Sequence, residues 1–249
     1  MHPLGCARTS KRSFPGKLLW LLGWLRCQRR RGGISSSDTG SIRGKLSWLR
    51  TERFFSARPL TAGERSRLDL PDRYILTVGT LEPRKNHLTL FRAMELLGDR
   101  FAYPLVVAGR KGWETAPILS AAEPLVRAGQ VRLLDYVPER LLPGLYAGAR
   151  CLVYPSWYEG FGLPVVEALA AGIPVVASTA PALREVSGGC ARHVDPSDPE
   201  AIAGAIVEAV SERERSTELV EARKQQARRY SWEAAGQVVA GAIREVAGR

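Results

Sequence analysis

From Arg73 onward, short apolar runs recur, and each is followed by a stretch with helical spacing. The runs are Tyr74–Gly79, Tyr103–Ala108, Val131–Leu134, Cys151–Tyr154 and Pro174–Ala177, each four to six residues long. Buried runs of that length read as strands, because a helix needs ten or more residues to cover a core. Strands alternating with helical periods predict βαβ units and a parallel sheet. Between the runs, Asn86 can cap a helix whose Leu90, Phe91, Met94 and Leu97 recur at core-facing spacing. Glu114–Ala128 reads as a further helix, and so does Pro138–Ala149, with Leu141, Leu142 and Leu145 inward. Cys190–Val194 reads as a short edge strand, and Pro199–Ser211, Arg215–Arg229 and Ser231–Val246 as three closing helices. The expected fold class is α/β, a Rossmann-like parallel sheet flanked by helices.

The chain has 249 residues and 45% hydrophobic composition, enough for one well-buried domain and a tail. A net charge of +11 suggests nucleic-acid binding until it is located along the chain. Residues 1–58 hold 13 of the 36 Lys/Arg and two of the 25 Asp/Glu, which leaves 23 of each sign for the rest. The domain, residues 59–249, is therefore neutral. Residues 1–58 form a basic arm expected to have little regular structure, with a linker-like stretch at Ile34–Ser41. Charge alone gives non-specific phosphate affinity, but no recognisable RNA module accompanies it, so nucleic acid is not the expected partner. Leu18–Leu25 is too short to span a bilayer, and basic residues follow it. Cys6, Cys27, Cys151 and Cys190 form no CxxC pair, which indicates neither zinc nor a disulfide framework and fits a reducing cytoplasm. Cys151 and Cys190 are read as small core residues, and the rings of His2, His87 and His193 as non-catalytic, with His87 solvated at a helix start.

Two loops carry the chemistry. Glu159-Gly160-Phe161-Gly162-Leu163-Pro164-Val165-Val166-Glu167 follows the fourth run and turns into a helix expected over Val165–Ala171, with Pro164 opening it and Gly172 ending it. Glu167 then falls in the first turn. A strand, a glycine turn and a helix N-terminus present free amides and a positive dipole end to an anion. Two acids beside such a site suit hydroxyls better than phosphate, and sugar hydroxyls are the natural reading. As a dipole complement alone, Glu167 contributes about 0.3–1 kcal/mol. The second loop, Thr80-Leu81-Glu82-Pro83-Arg84-Lys85-Asn86, brings a planar bidentate cation and a point cation. In an open parallel sheet, ligands lie outside the carboxyl ends of the strands. Arg84, Lys85, Gly109, Tyr136-Val137 and Glu159–Glu167 all follow strands, so they are expected on one edge. No Asp-x-Asp metal motif occurs, and the two cations make a divalent ion unnecessary.

These loops, in this order, resemble the donor-binding C-terminal half of GT-B retaining glycosyltransferases, and more closely family 4 (group 1) and its mannosyltransferase-like members. The resemblance covers roughly residues 72–247. It implies catalytic roles for Glu159, Arg84 and Lys85. Glu159 would contact the transferred sugar, Glu167 would hold the ribose hydroxyls, and Arg84 and Lys85 would grip the donor diphosphate. Gly79, Gly109, Val137, Gly160, Phe161, Gly162 and Leu163 would line the nucleotide-sugar site, several of them through backbone amides. Gly109-Arg110-Lys111-Gly112-Trp113 resembles a variant in the mannosyltransferase-like members. The resemblance implies a nucleotide-diphosphate sugar as substrate, with GDP-mannose favoured over UDP-sugars. It also implies retention of configuration, no cofactor and no metal, and a glycan or lipid-linked acceptor.

The chain departs from that family where the first, acceptor-binding domain would stand. The arm is read in three ways: a spurious start on a truncated gene, a segment docking an acceptor-domain partner chain, or a Trp/Leu/cation surface lying on an anionic membrane through Lys17–Arg31. The expected location is cytoplasmic or at the inner membrane face. The alternative function is a non-catalytic nucleotide-sugar-binding module, or a partner subunit of a split glycosyltransferase. The family's terminal helix braces the other domain, and Ser231–Val246 would either do that or close this domain.

Overall fold

Short runs with no Gly or Pro inside them, mostly β-branched and aliphatic, make the strands. β1 (Ile75–Val78), β2 (Leu105–Ala108), β3 (Val131–Asp135), β4 (Leu152–Tyr154), β5 (Val175–Ser178) and β6 (Arg192–Val194) form one sheet in a computed structural model of the chain. The structure describes residues 52–211 and 216–230. The arm before residue 52 and the helix expected over Ser231–Val246 lie outside the described residues. The strand order is β3-β2-β1-β4-β5-β6, with every pair parallel. The order reverses between β1 and β4, and that reversal opens the ligand crevice of a doubly wound sheet.

The helices are α1 (Glu52–Phe55), α2 (Ala62–Arg67), α3 (His87–Leu97), α4 (Ala116–Arg127), α5 (Leu142–Gly148), α6 (Leu163–Ala170), α7 (Pro181–Ser187), α8 (Pro199–Ala209) and α9 (Thr217–Arg228). They cover both faces of the sheet. Alternate strand residues feed two cores. Leu76, Val106, Leu152 and Val175 pack with α5, α6, α7 and α9, while Ile75, Leu105, Val153 and Val176 pack with α3, α4 and α8. Parallel strands buried on both faces read as continuous apolar runs, which is why the sequence located them.

Several boundaries differ from the sequence reading. The helix expected over Pro138–Ala149 is only Leu142–Gly148, because Pro143 is accepted in a first turn and would break a helix begun at Pro138. The phosphate-loop helix starts at Leu163, not Val165. Gly162 takes φ +101 at the N-cap and turns the chain directly into it. Glu167 is thus its fifth residue, in the second turn, and its assignment to the first turn is corrected. Asn86 stands at the N-cap of α3 but makes no capping bond. It adopts the left-handed conformation (φ 59°) and sends its side chain elsewhere. Cys151 is fully buried, whereas Cys190 is only half-buried and precedes β6. The sequence reading passed over α1, α2 and α7. Of these, α2 carries a complete capping box between Thr61 and Glu64. α1 lies within the residues counted with the arm, and its Phe54 is buried edge-on against Tyr146 with ring centroids 5.3 Å apart. Among the described residues, no helix is long and apolar enough to cross a membrane.

Candidate functional site

The loops after β1 and β4 border the reversal point, and they carry Arg84-Lys85 and Glu159 respectively. The first loop is clamped before it reaches its cations. Gly79 N–H donates to Ala108 O (3.0 Å), Leu81 N–H to Arg110 O (2.8 Å) and Gly112 N–H to Leu81 O (3.0 Å). The β1–β2 pairing thus continues beyond the strands as a Leu81–Lys111 bridge. Gly109 lies so close to Gly79 that any Cβ on it would collide with the Gly79 carbonyl. Gly79 has φ +152, and the stem of Lys85 lies against it, with Lys85 Cε 3.1 Å from where a Cβ would be. Of these two predicted ligand glycines, Gly109 is therefore required by the backbone crossing, and Gly79 seats the lysine stem.

The loop then makes a short 3₁₀ turn, Pro83–Lys85. Both cations of this turn meet Glu159 across the crevice. Lys85 Nζ lies 2.6 Å from Glu159 Oε1, and Arg84 Nη1 lies 2.9 Å from Oε2. The other arm of the Arg84 guanidinium reaches Glu82 at 2.6 Å. Bonds to backbone carbonyls tie the loops together as well: the Arg84 side chain donates through Nη1 to Tyr158 O (2.9 Å), and Trp157 N–H donates to Arg84 O (3.0 Å). Asn86 completes the frame. Its amide donates to Pro155 O (3.0 Å) and Pro196 O (2.6 Å), and its oxygen accepts from Thr89 (2.7 Å). One side chain thereby joins the loops after β1, β4 and β6.

Burial decides how these charges behave. Lys85 and Glu159 side chains are each only 9% exposed. Burial alone would raise the Glu159 carboxyl, but Lys85 and Arg84 outweigh it and hold the group below the usual carboxylate range. At Lys85, burial and the neighbouring Arg84 prevail over Glu159 and lower the ammonium. Burial also works against Arg84, yet Glu159 and Glu82 together raise it. The site holds two cations and two acids. It can exchange one carboxylate for a phosphate without leaving a cation buried alone.

Tyr154 was not among the residues singled out from the sequence. Its hydroxyl, at the end of β4, donates to Glu159 Oε1 (2.8 Å) and accepts from Lys85 Nζ. The available signal was a tyrosine closing an apolar strand, since a buried hydroxyl needs a polar partner. Asn86 was read only as a helix cap, because the carbonyls its amide reaches lie far along the chain, and Glu82, which pairs with Arg84 two residues on, was not singled out.

The remaining predicted residues divide clearly. Phe161 and Val137 are buried in the core, so a ligand would meet only their backbone. The Phe161 ring packs edge-on against Tyr230 at 5.8 Å. Gly160 has open space around it, while Gly162 lies under Leu183 Cδ2, 2.6 Å from where its Cβ would be. Leu163 is half-buried as the first residue of α6. Glu167, one helical turn further on, accepts from Tyr146 OH at 2.8 Å. At the β3 end, Asp135 turns with φ 55° and presents Tyr136, over which Arg110 stacks with its guanidinium carbon 4.2 Å from the ring centroid. His87 departs from its expectation. It is 2% exposed, and its Nδ1 has no hydrogen-bond partner. Burial, with Lys85 next to it, pushes its pKa down to about 4.

Comparison with known proteins agrees with this fold. The chain is 44% identical over 163 residues to "O-antigen chain mannosyltransferase B" of Escherichia coli, an alignment covering 64% of this chain and 42% of that protein. It therefore spans less than half the length of that relative. A glycosyltransferase from Rickettsia africae superposes with a TM-score of 0.66 at 18% identity, covering 78% of this chain and 54% of that one. The C-terminal domain of a glycosyl transferase group 1 family protein from Francisella tularensis superposes with a TM-score of 0.55 at 21% identity, covering 71% and 91%. Residues 62–226 match the family described as glycosyl transferases group 1, and the chain belongs to that family.

Proposed function

We propose that the crevice between β1 and β4 binds a nucleoside-diphosphate sugar, with GDP-mannose as the first candidate, and that the domain is the donor half of a retaining, metal-independent glycosyltransferase. The convergence of Arg84, Lys85 and Glu159 at the sheet's reversal point carries this reading. A diphosphate leaving group needs preorganised positive charge in a water-poor site, and a bidentate arginine beside a buried lysine supplies it. Glu159 faces the transferred sugar and its developing positive charge, and Glu167 clamps the ribose hydroxyls. Neither acid needs a raised pKa for that work. A glycosidase pair would need two carboxylates on opposite sides of one bond, whereas Glu159 here is committed to the two cations. Mannose as the sugar rests on the Escherichia coli relative's name, and the acceptor would be a glycan or a lipid-linked glycan.

Thermal unfolding of the 249-residue chain with GDP-mannose, UDP-glucose and ADP-glucose tests the reading. Ligand at about 100 times its dissociation constant adds about 2.7 kcal/mol to stability. The expected outcome is stabilisation by one nucleotide sugar that is lost in Glu167→Ala. Stabilisation by none of them rejects the donor site.

A further inference from the structure

Tyr154 is a fully buried residue on the last position of a strand paired on both sides. Its hydroxyl nevertheless touches both charged partners of the site, donating to Glu159 Oε1 and accepting from Lys85 Nζ. The Lys85 ammonium also lies 4.8 Å from the ring centroid. Glu159 is thus held by three groups, two on Oε1 (Lys85 and Tyr154) and Arg84 on Oε2. Two of the three are the cations that a diphosphate takes for itself. Once they turn to phosphate, Glu159 loses both charge partners and gains a like-charged neighbour. A carboxylate on a loop with open space at Gly160 would then swing toward water. The Tyr154 hydroxyl has a single proton, and Glu159 accepts it. The ring carrying it cannot follow the loop outward, because the strand and the core hold it.

Resting on the donor-site reading above, we infer that Tyr154 is a positioning residue: its hydroxyl keeps the Glu159 carboxylate facing the donor's sugar while Arg84 and Lys85 bind the diphosphate. Tyr154 touches neither the diphosphate nor the sugar in this role, and acts only through Glu159. It should therefore matter for the sugar-bearing ligand and not for the bare nucleotide.

The test is calorimetric titration of the full chain and of Tyr154→Phe with GDP and GDP-mannose, and in parallel with UDP and UDP-glucose. The expected result is nucleotide binding within about twofold of the original chain and nucleotide-sugar binding about tenfold weaker, the effect of losing one hydrogen bond to a charged group. Tyr154→Leu removes the same hydroxyl with different packing and must give the same ratio. In a Glu159→Ala background, Tyr154→Phe must have no further effect on that ratio. Equal weakening of nucleotide and nucleotide sugar, or no change in either, overturns the positioning role. An original chain that binds neither class of ligand overturns the donor-site reading, and the role of Tyr154 with it.

Discussion

At the scale of single residues, the site is a set of buried charges that satisfy one another. On the proposed donor-site reading, Lys85→Met removes a point charge that would meet the diphosphate, while Glu159 keeps Arg84 and Tyr154 as partners. Loss of one such contact costs about 3 kcal/mol of transition-state stabilisation. Release of nucleotide diphosphate from the donor, measured with an acceptor-domain partner supplied, should fall about a hundredfold. His87 predicts a separate pH effect. Its folded pKa, about 4, lies below the ordinary 6.5, so the unfolded chain binds a proton that the folded chain refuses. Stability is unaffected above pH 6.5, then falls as pH drops toward 4, by up to roughly 3 kcal/mol. Denaturant unfolding between pH 7.5 and 4.5 should show this slope, and His87→Asn should flatten it. Glu159, held below its ordinary 4.5, begins to lose its contribution only below that value, so the two effects separate along the pH axis.

At the scale of elements, glycines mark where backbones meet. Gly109→Ala would force the ends of β1 and β2 apart, since its Cβ has no room beside the Gly79 carbonyl. It should destabilise by about 3 kcal/mol, as strong overpacking does. Gly160→Ala has no heavy atom within 4 Å of its new Cβ and should stay within about 0.5 kcal/mol. Chemical denaturation of the two variants side by side checks the contrast. The strands and most helices were legible in the sequence because each is a local period bounded by Gly or Pro. The start of α6 was misread by two residues, because the left-handed turn at Gly162 bends the chain into helix before Pro164. α7 was missed although Pro181 opens it and Gly188, at φ 54°, closes it. It is one of the short helices, and Leu183 and Val186 alone are too few to show a helical period.

At the scale of the molecule, the sheet divides the core in two, and both halves rest on the same strands. Ile75 faces one cluster and Leu76 the other, both fully buried. Replacing either with alanine should cost about 2–5 kcal/mol, and each should lower the same cooperative transition rather than split it in two. α9 packs over α6 and α7 from a distant part of the chain. Gln226 donates to Val186 O at 3.0 Å, and Val220 sits 2.8 Å from where a Cβ on Gly172 would be. The helix that follows the Glu159 loop is thus braced from its outer side.

The sequence by itself determined the alternation of strand and helix, the glycine and proline boundaries, and the two loops that carry cations and acid after their strands. All of these depend on residues close together along the chain. Only the tertiary structure decided that β1 lies beside β4. That adjacency brings Lys85 against Glu159, 74 residues away, and places the Tyr154 hydroxyl between them. The burial of His87, the three loops joined by Asn86 and the crossing of Gly109 over Gly79 were settled at the same level. Pairings between distant segments follow from strand order, and strand order is a property of the folded sheet as a whole.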